Sequence, residues 1–395
     1  MHNVFGGNSK KLSELWFDPK YAGEDFNISH LVKIADERLS TIKPPSFVTR
    51  RPRSIETHSP YWKISEHYYW FFDYSIPVLS DLLPPLYFEH YKCYVLAMRI
   101  LHSSEITHEM QLQAQQLIHE LLSRFSVLYG ERNETCNAHC TAHLVEITRR
   151  FGPIWTVSCF LLENLNGTVK DFVTSSKKPE LQTFSNLDLH IKLHTLRYEW
   201  LKPNTIAYTF FENTIGPKRR MKLIKIDDTV SAVGKVSRLK STERLKILTE
   251  NNLNGSNVFS FRKIYKQKMI FTSADDERER ETESHYVKFK CRSRECDRNL
   301  CFGIVLRYYH VTNCICDHVC ACTGKSYALI KKLRTQLPFS VCIPGASIEY
   351  IHECLEVLDL VQPVKIHDII DICFHVTLEN GKSYICESIN NFGVE

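Results

Sequence analysis

Three groups of side chains have the types and spacing to do chemistry. The first is a single carboxylate. The stretch FGPIWTVSCFLLENLNG (151–167) carries a run of nine residues, Ile154 to Leu162, that is apolar except for Thr156 and Ser158. It then delivers Glu163 and turns at Asn166-Gly167. An acid at the end of a run expected to be buried suits a metal-dependent nuclease, provided two further acids assist. The alternative is a solvent-facing helix start, where an acid complements the dipole. The second group is ETCNAHCTAHL (134–144), in which Cys136, His139, Cys140 and His143 fall at i, i+3, i+4 and i+7, one face of a helix. These are donor types that zinc uses. A straight helix supplies two or three tetrahedral ligands far more easily than four, so a polar-rimmed packed helix is the competing reading.

The third group is NCICDHVCACTG (313–324), where Cys314, Cys316, His318, Cys320 and Cys322 alternate. On a strand, same-face neighbours lie about 6.6 Å apart. Two sulfurs on one zinc sit within about 4 Å of each other. Flat-strand neighbours therefore cannot share an ion. A turn through Asp317 would bring them together, with Cys291, Cys296 or Cys301 joining, and buried thiols on one strand face are the alternative. Fifteen cysteines without a secretion signal read as thiols or metal ligands rather than disulfides.

Two further stretches bear on partners. Residues 217–246 hold ten basic and three acidic residues, among them Lys218, Arg219, Arg220, Lys222 and Lys225. Such a segment tracks phosphates or serves as a solvated linker. The aromatic cluster YWKISEHYYWFFDYS (61–75) has the rings to stack on unpaired bases. Its place in an amphipathic helix favours core packing.

The elements that position these groups follow from pattern. With 395 residues, 43% hydrophobic and 24% charged, the chain is long enough for two or three folded domains. A net charge of +5 is compatible with nucleic acid without requiring it. No apolar run reaches the length of a membrane span, and the N-terminus lacks a basic start and apolar signal core. A location in cytosol or nucleus is expected. Helices are expected over 8–39, about 60–76 (with Pro77 as terminator), 84–102, 107–129, 136–148, 160–172 and 181–201. Thr107 and Gly130 bracket the fourth. Between the first two, 40–60 is a basic connector with Pro44, Pro45, Pro52 and Pro60. After Gly216-Pro217 short strands predominate, and HVTLENGKSYIC reads as a hairpin turning at Asn380-Gly381. The expected class is α+β: a mostly helical region over 1–215, a basic linker over 216–249, and a small β-rich domain over 250–395.

In combination these residues become specific. The runs KLSELWFDPKYAGEDFNI, IKPPSFVTRRPRSI and WKISEHYYWFFDYSIPVLSDLLPPLYFEHY resemble a known family. So does LSRFSVLYGERNETCNAHCTAHLVEITRRFGPIWTVSCFLLENLNG. Their order is similar to the C-terminal half of CACTA-like transposases, relatives of the Mirage and Chapaev elements, across about residues 1–175. The β-rich remainder is similar more loosely. The resemblance implies an RNase H-like core with an Asp, Asp, Glu triad holding two Mg²⁺ ions, DNA as partner, a nuclear location and no small-molecule substrate. It leaves a homo-oligomer open. It places a helical insertion over 20–150 and makes Glu163 the third acid, on the helix after the last core strand. It also matches Cys136 and His139 to the family's Cys/Asp-x-x-His element, with a structural or DNA-organising role. The second Asp is expected two residues before Met1-His2, just upstream of the first residue, and the first Asp further upstream. Asp18 is the alternative stand-in. One acid of three implies a catalytically incomplete, transposase-derived chain. The reading set against it is a non-enzymatic nucleic-acid- or protein-binding protein of the same origin.

Overall fold

Helix signals fill the first part of the chain. In the computed structural model they become helices. The structure describes residues 2–203, 205–215, 221–276, 281–291, 299–314, 316, 319, 324–341 and 343–389. After a π-helical segment at His2–Ser9 come α1 (Lys10–Phe17), α2 (Val32–Thr41), α3 (Ile55–His58), α4 (Ile64–Tyr69), α5 (Ser75–Leu79), α6 (Pro85–Leu101), α7 (His108–Tyr129), α8 (Cys136–Thr141) and α9 (Leu144–Phe151). Thr107 caps α7, its hydroxyl accepting from Met110 N at 3.2 Å, and Gly130 leaves the helix at φ 82°. Pro77 does not terminate its helix. A π-helical segment, Trp70–Tyr74, joins α4 to α5, and this wider turn gives the proline ring room that a regular α-turn denies it.

The aromatic cluster is core, not a base-stacking platform. Tyr68, Trp70, Phe71, Phe72 and Tyr74 are buried, while Tyr61 stays exposed. Edge-on ring pairs link Phe5 to Tyr68, Phe71 and Phe72, and Phe71 to Tyr94. Each such pair contributes about 1 kcal/mol beyond its buried area.

The second half is β. Its strands are β1 (Leu223–Lys225), β2 (Val230–Val233), β3 (Ser237–Arg238), β4 (Asn257–Phe261), β5 (Lys263–Lys266), β6 (Met269–Thr272), β7 (Tyr286–Lys290), β8 (Leu300–Thr312), β9 (Gly324–Gln336), β10 (Ile351–Lys365), β11 (Ile369–Thr377) and β12 (Ser383–Glu387). Strands β8, β7, β11, β12, β10 and β9 pair in that order, and β9 returns to β8. Six antiparallel strands therefore close a barrel, with β4 and β3 added along β8. Closure removes the exposed edges that open sheets must otherwise protect. A second sheet, β1-β2-β5-β6, shares the barrel's core through Val230, Ala232 and Ile264, packed with Val287, Phe289, Tyr308, Ile330 and Ile372. The chain is thus α+β, helical first and barrel second.

The expected division of the chain needs correction. Within the expected linker, 216–249, the described residues 221–249 form β1, β2, β3 and most of α13 (Ser241–Glu250), because Val230, Ala232 and Val233 are apolar enough to bury. Contacts gather Met1–Thr156 and Leu223–Asn390 into one compact unit, with no boundary between helices and barrel. Arg38 joins them, its guanidinium pairing with Asp81 and Glu379 and donating to Val78 O at 2.7 Å. Phe47, Tyr69 and Tyr74 pack on Phe374. Lys92 Nζ donates to Ser340 O.

Val157–Lys222 belongs to a second unit. It holds α10 (Phe160–Asp171), α11 (Pro179–Thr195) and α12 (Ile206–Thr214). Asn186 Nδ2 donates to Phe172 O at 2.8 Å, and Arg197 pairs with Glu212 at 2.7 Å. Among its described side chains only Phe211 is buried. Leu162, Phe184, Leu189, Ile191, Tyr198 and Trp200 are exposed.

Candidate functional site

Glu163 lies in the first turn of α10, its amide donating to Cys159 O at 2.9 Å. It is exposed. The residues before it do not form the buried run or the strand expected of them. Ile154–Val157 is a 3₁₀ turn, and in it only Ile154 is buried. Pro153 and Gly152 (φ 79°) favour a turn over an extended segment. The second unit instead opens at Val157, within this stretch.

Asp18 belongs to the first unit and is occupied with local structure. Its carboxylate accepts from Lys20 N at 2.9 Å, capping Pro19–Tyr21, and pairs with Lys20 Nζ at 3.0 Å. The backbone hydrogen bond from Lys20, with that lysine's charge, holds the carboxyl below its ordinary range. A cavity of about 400 Å³ lies nearby, lined by Lys10, Glu14, Phe17, Asp18, Ile55 and His67. Among the described residues no three His, Cys, Asp or Glu side chains are gathered for one metal ion. One carboxylate falls short of a two-Mg²⁺ centre, whose hard ions need several oxygen ligands.

The basic candidates divide. Lys218, Arg219 and Arg220 lie outside the described residues. Lys222 is exposed just before β1. Lys225, on β1, pairs with Asp228 at 2.7 Å. Further along, Arg238 donates to Asn257 Oδ1 at 2.6 Å and Arg244 to Ser256 O at 2.8 Å. Part of the basic surplus is thus engaged within the fold.

Of the cysteine-rich alternation, His318, Cys320 and Cys322 lie outside the described residues, as does Cys296. Strand β8 ends at Thr312, so Cys314 and Cys316 follow it rather than sharing its flat face. Their sulfurs lie 3.0 Å apart. Cys291 and Cys301 cannot join them: Cys301 stands near the opposite end of β8, about 36 Å of strand away.

Cys136 and His139 stand on α8, both exposed. The helix does not run straight on. It ends at Thr141, turns through Ala142 and His143, and resumes as α9. His139 Nε2 and His143 Nε2 face each other at 3.4 Å. Glu163 and this cluster fall in different units.

The sequence reading missed a polar group inside the first unit. Asp73, in the middle of the aromatic cluster, is 1% exposed, and its Oδ1 has no hydrogen-bond partner. Burial pushes its carboxyl up to about 8, against the opposing charge of Arg99. Arg99 covers the Tyr350 ring at 4.1 Å and donates to Glu387 O at 2.8 Å. The Glu387 carboxylate receives Lys288 at 2.6 Å and His352 at 3.1 Å. The signal was a lone acid in WFFDYS, the pattern sought at Glu163.

Comparisons with protein-family models, with curated proteins and with solved structures return no match for the chain. No helix among the described residues is long and apolar enough to cross a membrane.

Proposed function

We propose that the chain derives from a DDE-type DNA transposase of the CACTA-like group, with Glu163 as its third metal-binding acid and an RNase H-like core as its ancestral setting. The observation that carries this is the character of α10–α12. Glu163 projects from the first turn of a helix whose Leu162 and Leu165 are exposed, in a unit that buries only Phe211 among its described side chains. Helices apolar on open faces need something to cover them. Helices that flank a catalytic sheet have that character. Residues 1–395 supply one acid of the triad. The fit to Mg²⁺ is therefore partial: Glu163 offers one carboxylate, and a two-ion centre needs more.

The test is Mg²⁺-dependent nicking and strand transfer on duplex DNA. The purified chain is expected to bind DNA and leave it uncut. Cleavage that disappears on Glu163→Ala would establish the acid and overturn the incompleteness. A chain that neither binds nor cuts DNA at low salt would overturn the derivation's functional content.

The second reading is a non-enzymatic binding protein of the same origin. The exposed basic residues Lys222, Lys235 and Lys240 favour it. It predicts affinity falling with salt, log K changing by about 0.9 per phosphate contact for each decade of salt. Binding unchanged after replacing Lys218, Arg219, Arg220 and Lys222 together would count against it.

A further inference from the structure

The face shared by Cys136, His139, Cys140 and His143 holds a feature that the sequence does not fix. On a straight helix the i, i+4 rings of His139 and His143 run roughly parallel, each free to turn outward. Here the helix breaks at Ala142 and His143, with His143 at φ −90°, ψ −7°. The two rings meet edge-on, centroids 5.2 Å apart at 75°. Their Nε2 atoms are 3.4 Å apart. Two nitrogens bound to one zinc at about 2.05 Å and near the tetrahedral angle lie about 3.4 Å from each other. The pair therefore already has the bite of a chelate. With both rings neutral, one Nε2–H donates to the other ring's lone pair. Moving that proton to Nδ1 frees two lone pairs directed at the same point, with no net loss of a proton and little ring movement.

We infer that His139 and His143 form a two-imidazole site for a divalent late transition-metal ion of the zinc, copper and nickel class. Both histidines are exposed, so an ion reaches them from solvent and keeps water in its remaining positions. The site is independent of the Mg²⁺ reading of Glu163, because imidazole pairs select borderline ions over hard Mg²⁺. Cys136 and Cys140 stand beside the pair, their thiols hydrogen-bonded to each other. The break itself is held from below: Thr141 Oγ1 donates to Asn137 O at 3.0 Å and accepts from Asn8 Nδ2 at 2.7 Å.

The experiment uses the full chain, stripped with chelator, carrying Cys314→Ser and Cys316→Ser so that those thiols do not compete. Zn²⁺, Ni²⁺, Cu²⁺ and Mg²⁺ are titrated separately by calorimetry. One Zn²⁺ per chain is expected, with Cu²⁺ tighter than Ni²⁺ and no Mg²⁺ uptake at this site. His139→Ala and His143→Ala should each weaken Zn²⁺ by about tenfold or more, at least what loss of an outer-shell partner costs. His119→Ala, on exposed α7 surface, should leave it unchanged. Circular dichroism confirms that each variant folds, and His139→Gln provides a milder replacement with the same expected loss. Absence of saturable Zn²⁺ uptake, or an affinity in the alanine variants equal to the parent's, overturns the site.

Discussion

Asp73→Asn should stabilise the protein at neutral pH by an amount that grows with pH. In the folded state burial holds the carboxyl's pKa at about 8, against an ordinary value of 3.8. A folded-state pKa raised above the unfolded one gives stability that is complete below pH 3.8 and lost as pH rises toward 8. Each unit is worth about 1.4 kcal/mol. Ionisation of the unfolded chain therefore costs the native state about 4 kcal/mol by pH 7. Asparagine keeps nearly the shape of the protonated acid and does not titrate. Between about pH 5 and pH 7 the gap between variant and parent should widen by about 3 kcal/mol. At a urea slope of about 3 kcal/mol per molar, that is a shift of about 1 M in the difference between midpoints. Other groups titrate identically in both proteins and cancel. A gap that stays constant over this range, or one in which the variant loses ground as pH rises, would refute a neutral, buried Asp73.

Other outcomes follow from the same structure. Burial holds His67, His90 and His375 down at about 4 and His102 at about 3. Their stabilising contribution is complete above about pH 6.5 and lost as pH falls, about 3 kcal/mol each for the first three by pH 4 and about 5 kcal/mol for His102 by pH 3. Near-ultraviolet circular dichroism should therefore collapse before about pH 4, and a tertiary signal retained there would contradict it. Arg38→Ala strands Val78 O and the Asp81 and Glu379 carboxylates, which are half-exposed; a loss of about 3 kcal/mol is expected by denaturant titration. A loss under 1 kcal/mol would place Arg38 outside the helix–barrel joint. Gly303→Ala brings its Cβ to 2.8 Å from Lys331 O inside the barrel, whereas Gly167→Ala on α10 meets nothing. The first should lower the melting temperature, and the second should stabilise α10 by up to about 1 kcal/mol. Equal effects would contradict the β8–β9 register.

Where the chain states its own local rules, the sequence was legible. Thr107 and Gly130 bracket α7 as their capping roles require, and Gly381 turns the β11–β12 hairpin at φ 81°. Strand β10 was not legible, because IHECLEVLDLVQPVK alternates poorly, contains Pro363 and buries only its Ile351 and Val364 fully. It is a strand because β9 and β12 pair with it. Closure of the barrel needs β7 to meet β11, Val287 opposite Ile372, a non-local pairing that no local pattern announces. The break after α8 was equally hidden: CNAHCTAHL has good helical spacing, and the interruption comes from Asn3, Asn8 and Asn137, which bind Thr141 and one another. At the candidate site residue types were legible and environments were not.

Two acids illustrate why. Glu163 and Asp73 both follow apolar neighbours, and each is a lone carboxylate in its run. Burial separates them. The residues around Asp73 lie in a helix that packs against α6 and the barrel, so every side of WFFDYS finds apolar contact and the acid is carried inward with it. The residues around Glu163 lie in a helix of a small unit that cannot enclose them, so Leu162 and Leu165 stay exposed and the acid faces water. A buried carboxylate keeps its proton and costs stability at neutral pH. Asp73 therefore has a pH-dependent structural role, whereas Glu163 has the exposure that its proposed metal-binding role needs. The stability difference on Asp73→Asn and the DNA chemistry of Glu163→Ala test the two assignments independently.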